Sequence, residues 1–255
     1  MKAATRYGFS MKVNLPEILR HHFLLVLPKQ ERDHLLDQSD LVQLSRGETV
    51  QEPDALVRHI YFPLSAVLSL VGITTEGETV ELCHVGTEGV VGISSPAASR
   101  RIYQHRMLRT EVRLAGKALR ISTDNFLAAL RNGRGLFSLL SRYLDLLFSH
   151  LVMGATCNRH HSLEQRGIRW MLSMQDRIDT TDIQVTQANM ADVLGVRRQS
   201  IDIVLDSLAR EGLIGCARGL ISVIDRKGLE AAVCECYAVA KRRLEDFLSW
   251  EENRP

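Results

Sequence analysis

The sequence predicts an α+β fold in three parts: a roll of short strands, a long apolar helix and a C-terminal winged helix-turn-helix. Strand-like runs separated by turn residues dominate Leu41 to Ile121. Apolar residues then recur at steps of three and four from Leu136 to Gly154, and residues 186–211 carry two apolar-faced helices joined at Gly195. These features set boundaries at residues 1–132, 133–158 and 159–255. The chain has 255 residues, enough for each end to bury its own core, and its 45% apolar and 24% charged content is ordinary for a globular protein.

In chain order, Pro16–Leu25 and Lys29–Gln38 read as two short helices. Strands follow at Arg58–Phe62, Ala66–Ile73, Thr79–His84, Met107–Leu114 and Ala118–Ile121. Turn signals between them include Ser45-Arg46-Gly47, Pro53-Asp54, Glu76-Gly77 and Val85-Gly86-Thr87-Glu88-Gly89. No helix long enough for a crossover interrupts the strands, so a small roll or barrel is expected rather than a parallel sheet. The long helix runs from Gly135 to Cys157. Leu136, Leu140, Tyr143, Leu147 and Leu151 form a seam along it, and Leu139, Leu144, Leu146 and Phe148 widen its apolar surface. A helix apolar on more than one side needs two partners, so the seam is the expected contact with a second copy of the chain. Burial within one domain is the competing reading. Residues 161–178 give the next helix and 228–249 the last.

Within 186–211, Thr186 is placed to cap the first helix. Met190, Val193 and Leu194 give it an apolar face, and Ala191 is small enough for a second helix to cross closely. Gly195 can take the left-handed conformation of a tight turn. Val196, Ile201, Val204 and Leu205 then pack the second helix back onto the first. Its exposed start is Arg197-Arg198-Gln199-Ser200, residue types that read base edges and phosphates. A helical hairpin with a solvated basic end is the plainer alternative. Small residue, glycine, apolar contacts and polar tip in one register favour DNA. Leu213-Ile214 and Leu220–Ile224, around the turn Cys216–Gly219, complete a wing with Arg218 at its tip. The expected DNA-facing set is Thr186, Gln187, Arg197, Arg198, Gln199, Ser200, Asp202 and Arg218. Net charge is only +2, and residues 159–220 hold eight Arg against eight Asp plus Glu, so any electrostatic footprint is local. It would lie around Arg197, Arg198, Arg218 and the His160-His161 pair.

Together, the strand roll, the apolar helix and the winged helix-turn-helix resemble the Crp/Fnr family of bacterial transcription regulators, over about Leu24 to Val223. The segments Tyr61-Phe62-Pro63, Thr79–Leu82 and Val85–Gly92 resemble the family's sensor roll, a cyclic-nucleotide-binding-like domain. Cys157–Gln165 and Val233-Cys234-Glu235-Cys236-Tyr237 resemble one bacterial branch of it. The resemblance implies a homodimer on a near-palindromic double-stranded DNA operator, with RNA polymerase and a small-molecule effector as further partners. Nucleotide-binding members hold ribose with a Gly-Glu pair, and Gly92-Ile93 stands there in this chain. An isoleucine cannot accept that hydrogen bond, and Met153-Gly154 replaces a hydroxyl pair that meets the base. Cyclic AMP binding in the family manner is therefore not expected. Residues 100–120 nevertheless hold Arg100, Arg101, Arg106, Arg109, Arg113, Lys117 and Arg120 against Glu111 alone. Of these, Arg100, Arg101 and Arg106 are candidate ligands for an anionic effector, against the plainer reading of a solvated basic strand face.

Other chemistries find less support. The chain has no Gly-rich phosphate loop, no Gly-x-Ser-x-Gly elbow and no His-Glu-x-x-His helix, so it does not read as an enzyme. A cyclic-nucleotide-binding module without DNA readout is the alternative, opposed by the winged helix and the missing glutamate. No cofactor and no metal site is expected. Cys234-x-Cys236 has a metal-like spacing, but on a continuous 228–249 helix its thiols point apart, and His21-His22 and His160-His161 diverge likewise. His84 and Cys83 read as half-buried strand residues rather than haem ligands. Five cysteines without a disulfide framework fit a reducing cytoplasm. The longest apolar runs, such as Phe23–Leu27, are too short to span a bilayer, and Met1–Ser10 lacks a signal-peptide core, so no membrane partner is expected.

Overall fold

A computed structural model of the chain describes residues 20–93, 102–178 and 180–249, together with Ile18. Two short helices, α1 (His22–Val26) and α2 (Lys29–Asp37), lead into seven strands. These are β1 (Ser39–Leu44), β2 (Thr49–Gln51), β3 (His59–Pro63), β4 (Val67–Ile73), β5 (Thr79–Val85), β6 (Leu108–Leu114) and β7 (Gly116–Ser122). Their pairing is antiparallel throughout and makes two sheets, ordered β1-β7-β3 and β2-β6-β4-β5. Cross-strand partners such as Ile60–Ile121 and Phe62–Leu119 put apolar side chains opposite one another and fix the register. The five expected strands are all present, and β1 and β2 complete the roll.

Helix α3 (Thr123–Asn132) follows, where the sequence had suggested none. Its N-cap explains the oversight: Ser122-Thr123-Asp124-Asn125 looks like a turn, but the Ser122 hydroxyl accepts from the Asn125 amide and starts a helix. Helix α4 (Arg134–His160) is the long one. Glu31 caps it from α2, its carboxylate accepting from the Gly135 and Leu136 amides at 3.1 and 2.7 Å.

The seam assigned to a partner copy is only partly on the surface. Leu136, Leu140 and Tyr143 are at most 1% exposed and lie in the core of this same chain, so they have no surface left to offer. Tyr143 packs edge-on against Phe23, ring centroids 5.7 Å apart, and fills the space where a Cβ on Gly89 would stand. Leu147 is half-buried and Leu151 exposed. The open apolar face of α4 consists of Phe137, Phe148, Leu151 and Val152. Both faces are apolar, and helical spacing alone could not say which one meets the roll. By length and mean hydropathy, 1.3 in its most apolar stretch, α4 could also cross a membrane, which contrasts with the short apolar runs noted above.

The remaining elements are α5 (Leu163–Gln175), β8 (Asp182–Ile183), α6 (Gln187–Leu194), α7 (Arg198–Arg210), β9 (Ile214–Ala217), β10 (Leu220–Val223), α8 (Arg226–Ala232) and α9 (Cys236–Leu248). The single helix expected over 228–249 is therefore two. The backbone turns extended at Val233 (φ −72°, ψ 153°), which lets Cys234, Cys236 and Tyr237 all point inward. Helix α9 runs back along α4, where Arg243 pairs with Asp145 at 3.2 Å and Phe247 enters the N-terminal core beside Tyr143.

Buried polar contacts join the two ends of the molecule. Glu81 on β5 accepts from Trp170 Nε1 of α5 (2.8 Å), from Ser69 and Arg113 at 2.5 and 3.1 Å, and from His84 Nδ1 at 3.0 Å. Burial alone would raise its carboxyl, but the hydrogen bond and charge of His84, the Arg113 charge and the Ser69 hydroxyl hold it down to about 2. Burial, aided by the Arg177 charge, lowers His84, while the Glu81 carboxylate that its Nδ1 meets pulls the other way. Beside it, Arg177 just after α5 pairs with the buried Glu88 at 2.7 Å.

Candidate nucleic-acid interface

The helix-turn-helix forms as its sequence dictates. Thr186 caps α6, its hydroxyl accepting from the Asn189 amide at 3.1 Å and donating to the Asn189 side chain at 2.7 Å. Gly195 ends α6 in the left-handed region (φ 62°, ψ 43°), where a side chain would be strained. Arg166 of α5 donates to the Leu194 carbonyl and pins the turn from below. Met190, Ala191, Val193 and Leu194 of α6 bury against Ile201, Leu205 and Leu208 of α7, with Val196 and Val204 half-buried at the edge.

That packing turns the first residues of α7 outward. Arg197, Arg198 and Gln199 are exposed, and Ser200 is half-buried. Among the described residues Arg197 has no ion-pair partner. Arg198 lies 3.9 Å from Asp202, one turn later, and reaches Gln187 at 3.4 Å, with 65% of its side chain exposed. Asp202 thus steadies the arginine, a position from which it orients Arg198 more directly than it meets a base. Strands β9 and β10 pair through Ala217–Leu220, leaving Arg218 exposed at a two-residue turn completed by Gly219 (φ 77°). The wing strand is longer than expected, since Cys216 and Ala217 belong to β9 and not to the turn. One groove is lined by Thr186, Gln187, Arg198 and Arg218, so four of the eight expected DNA-facing residues converge. A helix start and a wing flanking a shared groove are what a duplex edge requires. Thr186 itself is committed to its cap.

Of the effector candidates, only Arg106 lies among the described residues; Arg100 and Arg101 lie outside them. Arg106 sits on the surface, 82% exposed and 3.4 Å from Asp54. Of the other basic residues of this stretch, Arg109 and Arg113 share Glu111 at 3.1 and 2.8 Å, and Arg120 meets Asp40 at 3.4 Å on the surface. Ile93, at the position read as lacking the ribose carboxylate, is buried in the roll core.

Residues 165–232 match the Crp-like helix-turn-helix domain family. No curated protein matches the chain in sequence. Its fold is shared with FixK2 of Bradyrhizobium japonicum, 14% identical over 77% of this chain and 98% of that one, with a TM-score of 0.65. A protein of Eubacterium rectale assigned to the Crp/Fnr family of transcriptional regulators is 17% identical over 80% of this chain and 94% of its own, with a TM-score of 0.63. The c-di-GMP-responsive global regulator CLP of Xanthomonas campestris is 14% identical over 77% and 99%, with a TM-score of 0.57. The chain has the fold of the Crp/Fnr transcription regulators and carries a Crp-like helix-turn-helix domain at residues 165–232.

Proposed function

We propose that this chain is a sequence-specific transcription regulator that binds a near-palindromic DNA operator as a homodimer, in the cytoplasm and in concert with RNA polymerase. The observation that carries the reading is the exposed start of α7, with Arg197, Arg198 and Gln199 free of the core and Arg198 lining one groove with Arg218. Arg198 suits a bidentate contact with guanine, and Gln199 a contact with adenine. Arg197, one step earlier, suits a phosphate. The homodimer is supported by the open apolar face of Phe137, Phe148, Leu151 and Val152 on α4. Burying four such side chains between copies would contribute roughly 1.5–3 kcal/mol each when complete.

The test is a pair of variants on the full-length protein. Arg198→Ala is expected to weaken the specific site by about 1–3 kcal/mol and random DNA little, while Arg197→Ala weakens both and flattens the salt dependence. Equal losses on both DNAs for Arg198→Ala would reassign it to the backbone. The roll is expected to respond to a signal other than cyclic AMP, because Ile93 is apolar and packed. Calorimetric titration with cyclic AMP should show no binding; a micromolar dissociation constant refutes this part of the reading.

A further inference from the structure

Four residues that the sequence scattered come together where α4 ends. Cys157 and His161 are one helical turn apart at the end of α4, and Cys234 and Cys236 flank the break between α8 and α9. One ligand atom from each lies within 4.8 Å of all the others. The three cysteines are buried, and the His161 side chain is 14% exposed.

Two of the distances among these atoms are those of a metal shell. Tetrahedral zinc with arms of about 2.3 Å to sulfur and about 2.0–2.1 Å to nitrogen puts sulfurs about 3.8 Å apart and sulfur about 3.6 Å from nitrogen. Cys157 Sγ and Cys234 Sγ are 3.7 Å apart, and Cys236 Sγ lies 3.6 Å from His161 Nδ1. A disulfide needs about 2.05 Å, so the thiols stand at coordination distance and not at bonding distance. His161 turns Nδ1 to the cluster and Nε2 to the Glu235 carboxylate at 3.2 Å. A carboxylate behind a ligating imidazole fixes its tautomer and raises its basicity, as in metal-bound histidines generally.

We propose that Cys157, His161, Cys234 and Cys236 form a Cys₃His site for one zinc ion. Four protein ligands leave no open position, so its role is structural. It staples the last turn of α4, the helix that carries the open apolar face, to the corner that follows the winged domain. Zinc would displace the thiol protons, leaving thiolates on the ion.

The experiment uses untagged full-length protein purified without chelator. Elemental analysis is expected to give about one zinc per chain, against less than about a fifth for Cys157→Ala with Cys236→Ala. Cys83→Ala with Cys216→Ala should keep the full complement. Cobalt exchanged into the wild-type protein should show the strong visible bands of a tetrahedral ion and a sulfur-to-metal charge-transfer band. That readout needs no variant to fold. His161→Ala is expected to make the ion removable by a chelator that the wild type resists. Zinc-free wild-type protein that binds no cobalt overturns the proposal, as does a Cys157–Cys234 disulfide found by mass spectrometry in its place. Zinc retained in the double ligand variant does so equally.

Discussion

The arginines of the two ends of the molecule are treated in opposite ways. In the roll, Arg109 meets Glu111 of its own strand, Arg113 meets Glu111 and Glu81, and Arg120 meets Asp40 of the neighbouring β1, with Arg113 nearly buried among Glu81, Glu111 and Ser69. In the winged domain, Arg197 and Arg218 are exposed with no ion-pair partner among the described residues. A guanidinium already satisfied by a carboxylate holds the fold; one left to water is available to a phosphate or a base. The difference separates charge that holds the fold from charge that, in the function proposed, would be free to meet DNA, although the residue type is the same.

The comparison breaks most severely if the wrong face of α4 has been assigned to the partner. Phe148→Asp with Leu151→Asp is expected to give folded monomers whose affinity for the operator falls toward the non-specific level, about 10³-fold or more. Leu140→Asp should instead reduce the yield of folded protein, because Leu140 is fully buried. Sedimentation velocity and circular dichroism distinguish the two, and a Phe148/Leu151 variant that stays dimeric sinks the assignment.

Removing a structural arginine should also be costly. Arg177→Met leaves Glu88 buried without its partner and is expected to lower unfolding stability by about 3–5 kcal/mol. Adding Glu88→Gln should recover much of that, whereas Arg218→Ala should leave stability unchanged. Urea titrations that give Arg177→Met and Arg218→Ala the same midpoint would erase the distinction.

Acid provides a third probe. Burial holds the His21 imidazole down to about 3, its Nδ1 accepting from the Leu24 amide at 3.3 Å. A histidine depressed in the fold stabilises fully above its unfolded value near 6.5, and that stability is lost as pH falls toward 3. At pH 5 the loss is about 2 kcal/mol. Glu81, held at about 2, contributes fully above its ordinary value of 4.5 and loses its share only below that. Thermal unfolding should therefore weaken from pH 7 to pH 5, and His21→Asn, which keeps an acceptor for Leu24, should flatten the slope. An unchanged slope assigns the acid response elsewhere.

The smallest effect belongs to the wing. Arg218→Ala should weaken DNA binding by less than about 1 kcal/mol, equally on all sequences, and reduce the salt slope by about one. A sequence-dependent loss would make Arg218 a base reader.

What could be read without the structure was local. The Thr186 cap, the Gly195 turn and the apolar steps of α6 and α7 depend on neighbours within four residues, and all three are present as read. The strands of the roll were visible from alternation and turns. Strand partners were not, because β4 lies between β5 and β6 through pairings that only the folded chain makes. The same distance hid the partners of Arg113 and Arg120, which sit 32 and 80 residues away. It also hid the approach of Cys157 to Cys234 across 77 residues. The face of α4 was misjudged for a different reason: periodicity identifies a stripe but not its neighbour, and this helix has two.

Phe247 sits in the same core as Phe23 and Tyr143, almost at the far end of the chain. Translation proceeds at about 5–20 residues per second. The roughly one hundred residues from Leu146 to Phe247 thus emerge about 5–20 s after the rest of that core. Until then the place that Phe247 takes beside Tyr143 in the folded core has no other occupant from α9. Helix α9 thus acts as a late-arriving plug for the N-terminal core.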